Sequence, residues 1–348
     1  MATEKEQVME QIRVIQYGCG KMGRIMLRYL HEKGCRIVGA IDADTALVGR
    51  DVGEVAGLDM RLGVQVAADA EAVFAGCDAH VALIATRSLI GELEDAYTLA
   101  ARHGVCALST CEEAFYPWTT AAPLTNRLDR LAKQHGVTLS ASGYQDVFWG
   151  KLVSALAGAT HRIERIEGLS SYNVEDYGIA LAEAHGAGLS ADEFRRQITD
   201  AEALPSYMWN SAEWLAAELG FSVRSVSQVL EPILAPHDVK SATLGGTIPA
   251  GHALGMRAVV TLETYQGVVI EAQCVGKVYL PGEVDRNDWT VRGEPTTTLQ
   301  IAAPDTVALT CATLVNRIPQ LLAAPPGFVT CDRLAAPRYQ PYPLGLPD

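Results

Sequence analysis

The chain opens with a short apolar run that gives way to helical spacing. IRVIQYG reads as a buried strand, and after GCGKMG the apolar residues Met22, Ile25, Met26, Tyr29 and Leu30 recur at i, i+3, i+4, i+7 and i+8. That spacing puts them on one stripe of an α-helix, ended by Gly34. RIVGAID reads as a second strand. The runs HVALIAT, VCALST and VTLSASG then alternate with the helical stretches IGELEDAYTLAARHG and PLTNRLDRLAKQHG. Strands that are apolar throughout, each followed by a helix, predict a doubly wound parallel sheet with helices on both faces.

After about residue 147 the pattern changes. VFWGKLVSALAGA predicts a helix, and RIERIEGLSSYNV a strand running into a polar loop. Residues 188–230 read as helical. RAVVTLETYQGVVIEAQCVGKVYL predicts two long strands turning near Gln266-Gly267, an antiparallel hairpin. TTTLQIAA adds a strand, DTVALTCATLVNRIPQLLAA a helix opened by Asp305, and PRYQPYPLGLPD an irregular end. The expected class is α/β, with a parallel-sheet domain over 1–147, an α+β domain on a mostly antiparallel sheet over 148–325, and a tail over 326–348.

Bulk properties narrow the function. A length of 348 residues exceeds what one core commonly serves. A net charge of −13 repels phosphate backbones, which argues against a nucleic-acid partner. The start, MATEKEQVMEQ, lacks the apolar segment of a secretory signal, and no apolar run is long enough to span a bilayer. None of the eight cysteines stands in C-x-x-C spacing or beside a histidine at ligand spacing. Reduced thiols in the cytoplasm and no metal site are expected. Cys111, next to Glu112, is the one cysteine placed as a nucleophile, but no histidine lies nearby in sequence and packing explains it better.

Chemistry enters with Gly18-x-Gly20-x-x-Gly23, which follows a strand, opens a helix and precedes a second strand. This is the context of a dinucleotide-binding Rossmann fingerprint: tight turn, close approach to a pyrophosphate, and helix packed on strand. Lys21 and Met22, at the helix start, complete that cofactor-binding set. Asp42, nineteen residues after Gly23, stands where a carboxylate accepts ribose hydroxyls and repels a 2′-phosphate. NADH is therefore favoured over NADPH, although Asp44 can substitute for Asp42, and Arg50 can pair with a phosphate. Thr86 and Arg87 follow the HVALI strand and are further candidates for cofactor contact.

In STCEEAFYPW, Glu112 and Glu113 lie just past a strand, on the edge where such sheets bind ligands. A carboxylate walled by Phe115, Tyr116 and Trp118 would be desolvated, and so suited to proton transfer. Alternatively both are helix-start carboxylates. Adjacent side chains point differently, so one can be catalytic and the other structural. SGYQDVFWG contributes Tyr144, Phe148 and Trp149, and SYNVEDYG contributes Tyr172, Asn173 and Tyr177, as candidate pocket residues.

Together, GCGKMG, STCEEAFYP, SGYQDVFW and SYNVEDYG resemble the 2,4-diaminopentanoate dehydrogenase family, and within it the native amine dehydrogenase branch. The resemblance runs over nearly the whole chain. It implies a Rossmann domain, a second α+β domain and a homodimer. It also implies reversible NAD(P)-dependent oxidative deamination of a small primary amine, with reductive amination of a carbonyl compound by ammonia as the reverse. The family's catalytic glutamate matches Glu112, and its pocket aromatics match Tyr144, Trp149, Tyr172 and Tyr177. These motifs contain no arginine for a substrate carboxylate, so amines lacking one are expected. A dihydrodipicolinate reductase-like imine reductase fits less well, because TLGGTIPAGHALG has no lysine for its dianionic substrate. A non-catalytic NAD-binding regulator would have no need of the glutamate pair.

Overall fold

The computed structural model describes residues 11–200, 205–341 and 343–344. The start read as lacking a signal (1–10), residues 201–204 of the region read as helical, and residues 342 and 345–348 of the tail lie outside the described residues. The chain divides into two compact units, Met1–Val147 with Thr306–Asp348, and Phe148–Asp305.

The first unit carries strands β1 (Arg13–Tyr17), β2 (Arg36–Ile41), β3 (Val66–Ala67), β4 (Val81–Ile84), β5 (Cys106–Ser109) and β6 (Thr138–Ala141). Helices α1 (Lys21–Glu32), α2 (Val52–Ala56), α3 (Ala70–Gly76), α4 (Glu94–Arg102) and α5 (Ala122–His135) connect them. In the second unit α6 (Leu152–Gly158) leads to β7 (Arg162–Asn173), then α7 (Ile179–Ala184), α8 (Ala191–Phe194) and α9 (Tyr207–Glu218). Strands β8 (Val223–Leu234), β9 (Val239–Ser241), β10 (Gly246–Ile248), β11 (Ala253–Thr264), β12 (Val269–Lys277), β13 (Arg286–Glu294) and β14 (Thr297–Ala302) follow. The last segment, in the first unit, forms α10 (Thr306–Leu322) and β15 (Gly327–Phe328).

The first sheet has the order β15-β6-β5-β4-β1-β2-β3, and every pairing in it is parallel. Its central strands are buried on both sides, which is why they read as unbroken apolar runs. One face packs Tyr97, Leu128 and Phe328 against Ile15 and Ile84. The other packs Met26, Leu27 and Leu30 of α1 with Cys311, Leu314, Val315 and Ile318 of α10. This differs from the expected boundary at 325. The apolar stripe of α10 completes the core beside α1, and β15 adds a seventh strand next to β6, so part of the expected tail is sheet.

The second sheet has the order β14-β13-β7-β12-β11-β8, antiparallel except between β7 and β12. The hairpin turns as expected between β11 and β12, with Gly267 at φ 84° supplying the left-handed residue. Ala258, Val260, Leu262, Ile270, Ala272, Trp289 and Val291 are buried, and α9 packs on β8, β11 and β12. The expectation of helix through residue 230 is corrected here: Val223–Leu234 is a sheet-edge strand. Half-buried Val226, Gln228 and Leu230 alternate with exposed Ser225, Ser227 and Val229, and pairing with β11 fixes the strand.

Candidate active site

Between β1 and β4 the winding of the first sheet reverses, so the loops leaving their carboxyl ends diverge and open a crevice. The glycine loop follows β1. Gly18 has φ 94°, its N–H donates to Ile41 O at 2.8 Å, and a Cβ there would overlap Ala85 O. A Cβ at Gly23 would overlap Gly18 O. Both glycines are thus required by the protein's own packing. Gly20 is different: it is exposed, with φ −71°, and a Cβ on it would meet nothing within 4 Å. Space left open at the second glycine, at a helix start that no side chain caps, fits close approach of a dinucleotide pyrophosphate.

Asp42 directly follows β2. Its Oδ2 accepts the Cys19 N–H at 2.6 Å and its Oδ1 the Asp44 N–H at 2.9 Å, so the carboxylate is fixed beneath the loop. Asp44 accepts the Ala46 N–H at 2.8 Å. Thr86 and Arg87 are exposed past β4, Lys21 is exposed and Met22 half-buried at the start of α1, and Arg50 is exposed in the turn after β2. These groups suit an anionic dinucleotide.

The two glutamates past β5 have separate surroundings. Glu113 Oε2 accepts the Ile90 N–H at 2.9 Å, and the Glu113 N–H donates to Ser88 O at 3.1 Å. It therefore ties the loop after β5 to the turn Ile90–Leu93 that follows β4. The Cys111 thiol also donates to Ser88 O, at 3.1 Å, and burial pushes its pKa far up, which leaves it a packed thiol rather than a nucleophile. Glu112 retains some exposed surface, but its carboxyl group is enclosed. Burial raises its pKa above the usual carboxylate range, opposed by hydrogen bonds from the Ser88 side chain and from its own backbone. Phe115 is buried, and Trp118 packs edge-on against Phe328 at 6.2 Å beside the core of the sheet.

The aromatic candidates fall in both units. Tyr144, in the first, is buried, and its N–H donates to Thr310 Oγ1 at 3.2 Å. Near it Asp146 and Arg317 form an ion pair with no exposed surface. In the second unit Phe148 O accepts Asn287 Nδ2–H at 3.0 Å, and Trp149 is buried. Tyr172 and Tyr177 meet edge-on with centroids 5.7 Å apart. Asn173 Oδ1 accepts the Glu175 N–H at 3.3 Å, capping the turn Val174–Tyr177. Two groups beside these residues were not signalled by the sequence: His185, bonded to Tyr172, and Asp285, which accepts the Asn173 N–H at 3.3 Å. Neither belongs to a motif in the sequence, and each is brought beside these residues only by the fold. Among the described residues no three His, Cys, Asp or Glu side chains gather as a metal site, and no helix is long and apolar enough to cross a membrane.

Residues 148–340 match the model of the 2,4-diaminopentanoate dehydrogenase C-terminal domain. The solved amine dehydrogenase of Mycobacterium smegmatis is 39% identical, with a TM-score of 0.87 over 96% of this chain and 98% of that one. A 2,4-diaminopentanoate dehydrogenase of Acetoanaerobium sticklandii is 26% identical over 95% of both chains. An amine dehydrogenase of Streptomyces virginiae is 26% identical over 67% of this chain and 66% of its own.

Proposed function

The chain belongs to the 2,4-diaminopentanoate dehydrogenase family, and we propose that Glu112 is the group with which it moves protons between a small primary amine and the matching carbonyl compound. It is a nicotinamide-dependent oxidoreductase acting on CH–NH2 groups. The observation that carries the proposal is the contrast within the glutamate pair: Glu113 is engaged by Ile90, whereas Glu112 holds an enclosed carboxyl with a raised pKa.

In the amination direction ammonia is the nitrogen source. The Glu112 carboxylate takes a proton from ammonium, which frees the nucleophile to add to the carbonyl carbon. The same proton then goes to the hydroxyl of the carbinolamine, which departs as water and leaves an iminium. A bound nicotinamide would supply the hydride, so that carbonyl compound, ammonium and NADH would give amine, water and NAD⁺. Glu112, again a carboxylate, stabilises the iminium charge in a site of low polarity. Gly18, Gly20, Lys21, Met22 and Gly23 would hold the pyrophosphate, Asp42 the adenosine ribose, and Thr86 and Arg87 the facing side of the cofactor.

Tyr144, Phe148, Trp149, Tyr172, Asn173 and Tyr177 are the proposed substrate-binding set. Being largely aromatic, it favours short apolar amines, each buried CH₂ contributing roughly 0.8 kcal/mol. A carboxylate would be desolvated without a partner. A homodimer in the cytoplasm completes the reading. The test is NADH oxidation with short ketones and, separately, 2-oxo acids, each with ammonia. Ketones are expected to give the higher kcat/KM. Faster turnover of the 2-oxo acids would overturn the substrate assignment, and full activity in Glu112→Gln would overturn the catalytic one.

A further inference from the structure

Gln16, on β1, is a polar residue at a position where burial calls for an apolar one. It has no exposed surface, and it shares its face of the strand with Val14, which belongs to the core built with α1 and α10. Its Nε2–H donates to Gly18 O at 2.9 Å. Its Oε1 is also buried, and no group among the described residues donates to it. A buried amide bonded in this partial way destabilises the fold relative to an apolar side chain of the same shape. Packing therefore gives no account of this residue, and the bond to Gly18 O is the feature to explain.

Gly18 C=O and Cys19 N–H belong to one peptide unit. That unit is trans, so its carbonyl and its N–H point in opposite directions. Gln16 holds the carbonyl end. The N–H end donates to Asp42 Oδ2 at 2.6 Å. The peptide is thus clamped from both sides, and two hydrogen bonds run in series from the Gln16 amide to the Asp42 carboxylate. Bonds in series polarise one another, so the bond to the carbonyl oxygen makes the N–H of the same peptide a better donor. The other bond to this carboxylate comes from the Asp44 N–H and is local to the turn after β2. Of the two, only the bond from Cys19 ties Asp42 to the glycine loop.

We infer that Gln16 is a positioning residue for nucleotide selection: acting through the peptide between Gly18 and Cys19, it sets where the Asp42 carboxylate stands relative to the glycine loop. The inference rests on the reading of Asp42 as the carboxylate for the adenosine ribose and of the glycine loop as the pyrophosphate site. Gln16 itself touches neither part of the nucleotide.

NADH and NADPH share the pyrophosphate and differ at the ribose 2′ position, where one carries a hydroxyl and the other a phosphate. Loosening the loop as a whole would therefore weaken both nucleotides alike. Displacing the Asp42 carboxylate acts on NADH, whose hydroxyl needs a close acceptor, and spares NADPH, whose phosphate the carboxylate repels. The ratio of the two dissociation constants thus reads the placement of Asp42, and contributions common to both nucleotides cancel.

The experiment titrates NADH and NADPH into the full chain by fluorescence and takes the Kd for NADPH divided by the Kd for NADH. Gln16→Met keeps the length of the side chain and removes the amide. It should lower the ratio about fivefold, the worth of one neutral hydrogen bond, mainly by weakening NADH. Gln16→Leu, a second apolar replacement, should do the same. Asp42→Ala should lower the ratio further, and adding Gln16→Met to Asp42→Ala should lower it no more, because the path ends at the carboxylate. A residue serving only the fold would change both Kd values by one factor and leave the ratio where it was. A ratio unmoved by Gln16→Met and Gln16→Leu, where Asp42→Ala does move it, overturns this inference alone. So does a further fall in the double variant, or failure of both Gln16 variants to fold. A folded wild type that binds neither nucleotide, or a ratio that Asp42→Ala leaves unchanged, overturns the proposed placement of the cofactor, and this inference with it.

Discussion

Replacing Gly20 by Ala separates what the glycine loop does for the fold from what it does for the cofactor. The added Cβ would meet no protein atom within 4 Å, and φ at −71° lies on the side of the map that side chains adopt. Folding should therefore be spared, or helped by about 0.4–1 kcal/mol through the less flexible unfolded chain. A bound pyrophosphate would occupy that open space. Forcing a methyl group into a filled site costs about 1–3 kcal/mol, which is roughly 5- to 160-fold in NADH Kd. Gly18→Ala and Gly23→Ala are the controls. At Gly18 the methyl group overlaps Ala85 O in a backbone with φ 94°, and at Gly23 it overlaps Gly18 O. Each should lower Tm by several degrees. The assays are NADH titration by fluorescence and thermal unfolding without nucleotide. If Gly20→Ala lost as much Tm as Gly23→Ala, or bound NADH as tightly as the wild type, the assignment of Gly20 to the cofactor would be refuted.

Glu112→Gln should lower kcat by about 10²–10⁴-fold, with NADH Kd nearly unchanged in the same titration. It should also raise Tm at neutral pH, because the raised pKa means that the folded state holds the charged carboxylate at a cost. That cost is relieved as pH falls through the folded pKa towards the ordinary value of about 4.3, so the Tm difference should close in acid. Ser88→Ala removes a hydrogen bond that lowers the Glu112 pKa, and should move the acid limb of the pH–kcat/KM profile to higher pH. Asp42→Ala should lower the NADH-to-NADPH ratio of kcat/KM. An unmoved ratio would place the ribose elsewhere.

How much of this was legible in the chain depended on how local the determining contacts are. The β1-α1-β2 unit could be read because strands buried on both faces give unbroken apolar runs and α1 buries one stripe. Strand β8 could not, since an edge strand is half polar and owes its form to pairing with β11. The stripe on α10 showed that the helix packs, but not on what, and its partner α1 lies almost the whole chain away. At the site, the place of the glutamate pair at a strand end was legible, whereas the choice between them rests on Ser88 and Ile90 in a different loop. His185 gave no signal, because a lone histidine acquires meaning only when the fold brings Tyr172 and Gly276 to it.

On the role proposed for Glu112, the loop after β5 has two opposed requirements. A proton-transfer carboxylate has to be desolvated, which destabilises its charged form, and it has to stay in place while that cost is borne. Neighbouring residues supply the fastening. Cys111 and Glu113 both donate to Ser88 O, and the Glu113 carboxylate takes the Ile90 N–H, so the loop is bonded to the one after β4 on each side of Glu112. Ser88 serves twice: its carbonyl anchors the loop, and its side chain bonds the Glu112 carboxyl. That second bond opposes the rise in pKa that burial causes. Adjacent glutamates are thus one device, since the structural Glu113 holds the backbone that keeps Glu112 in its enclosed position.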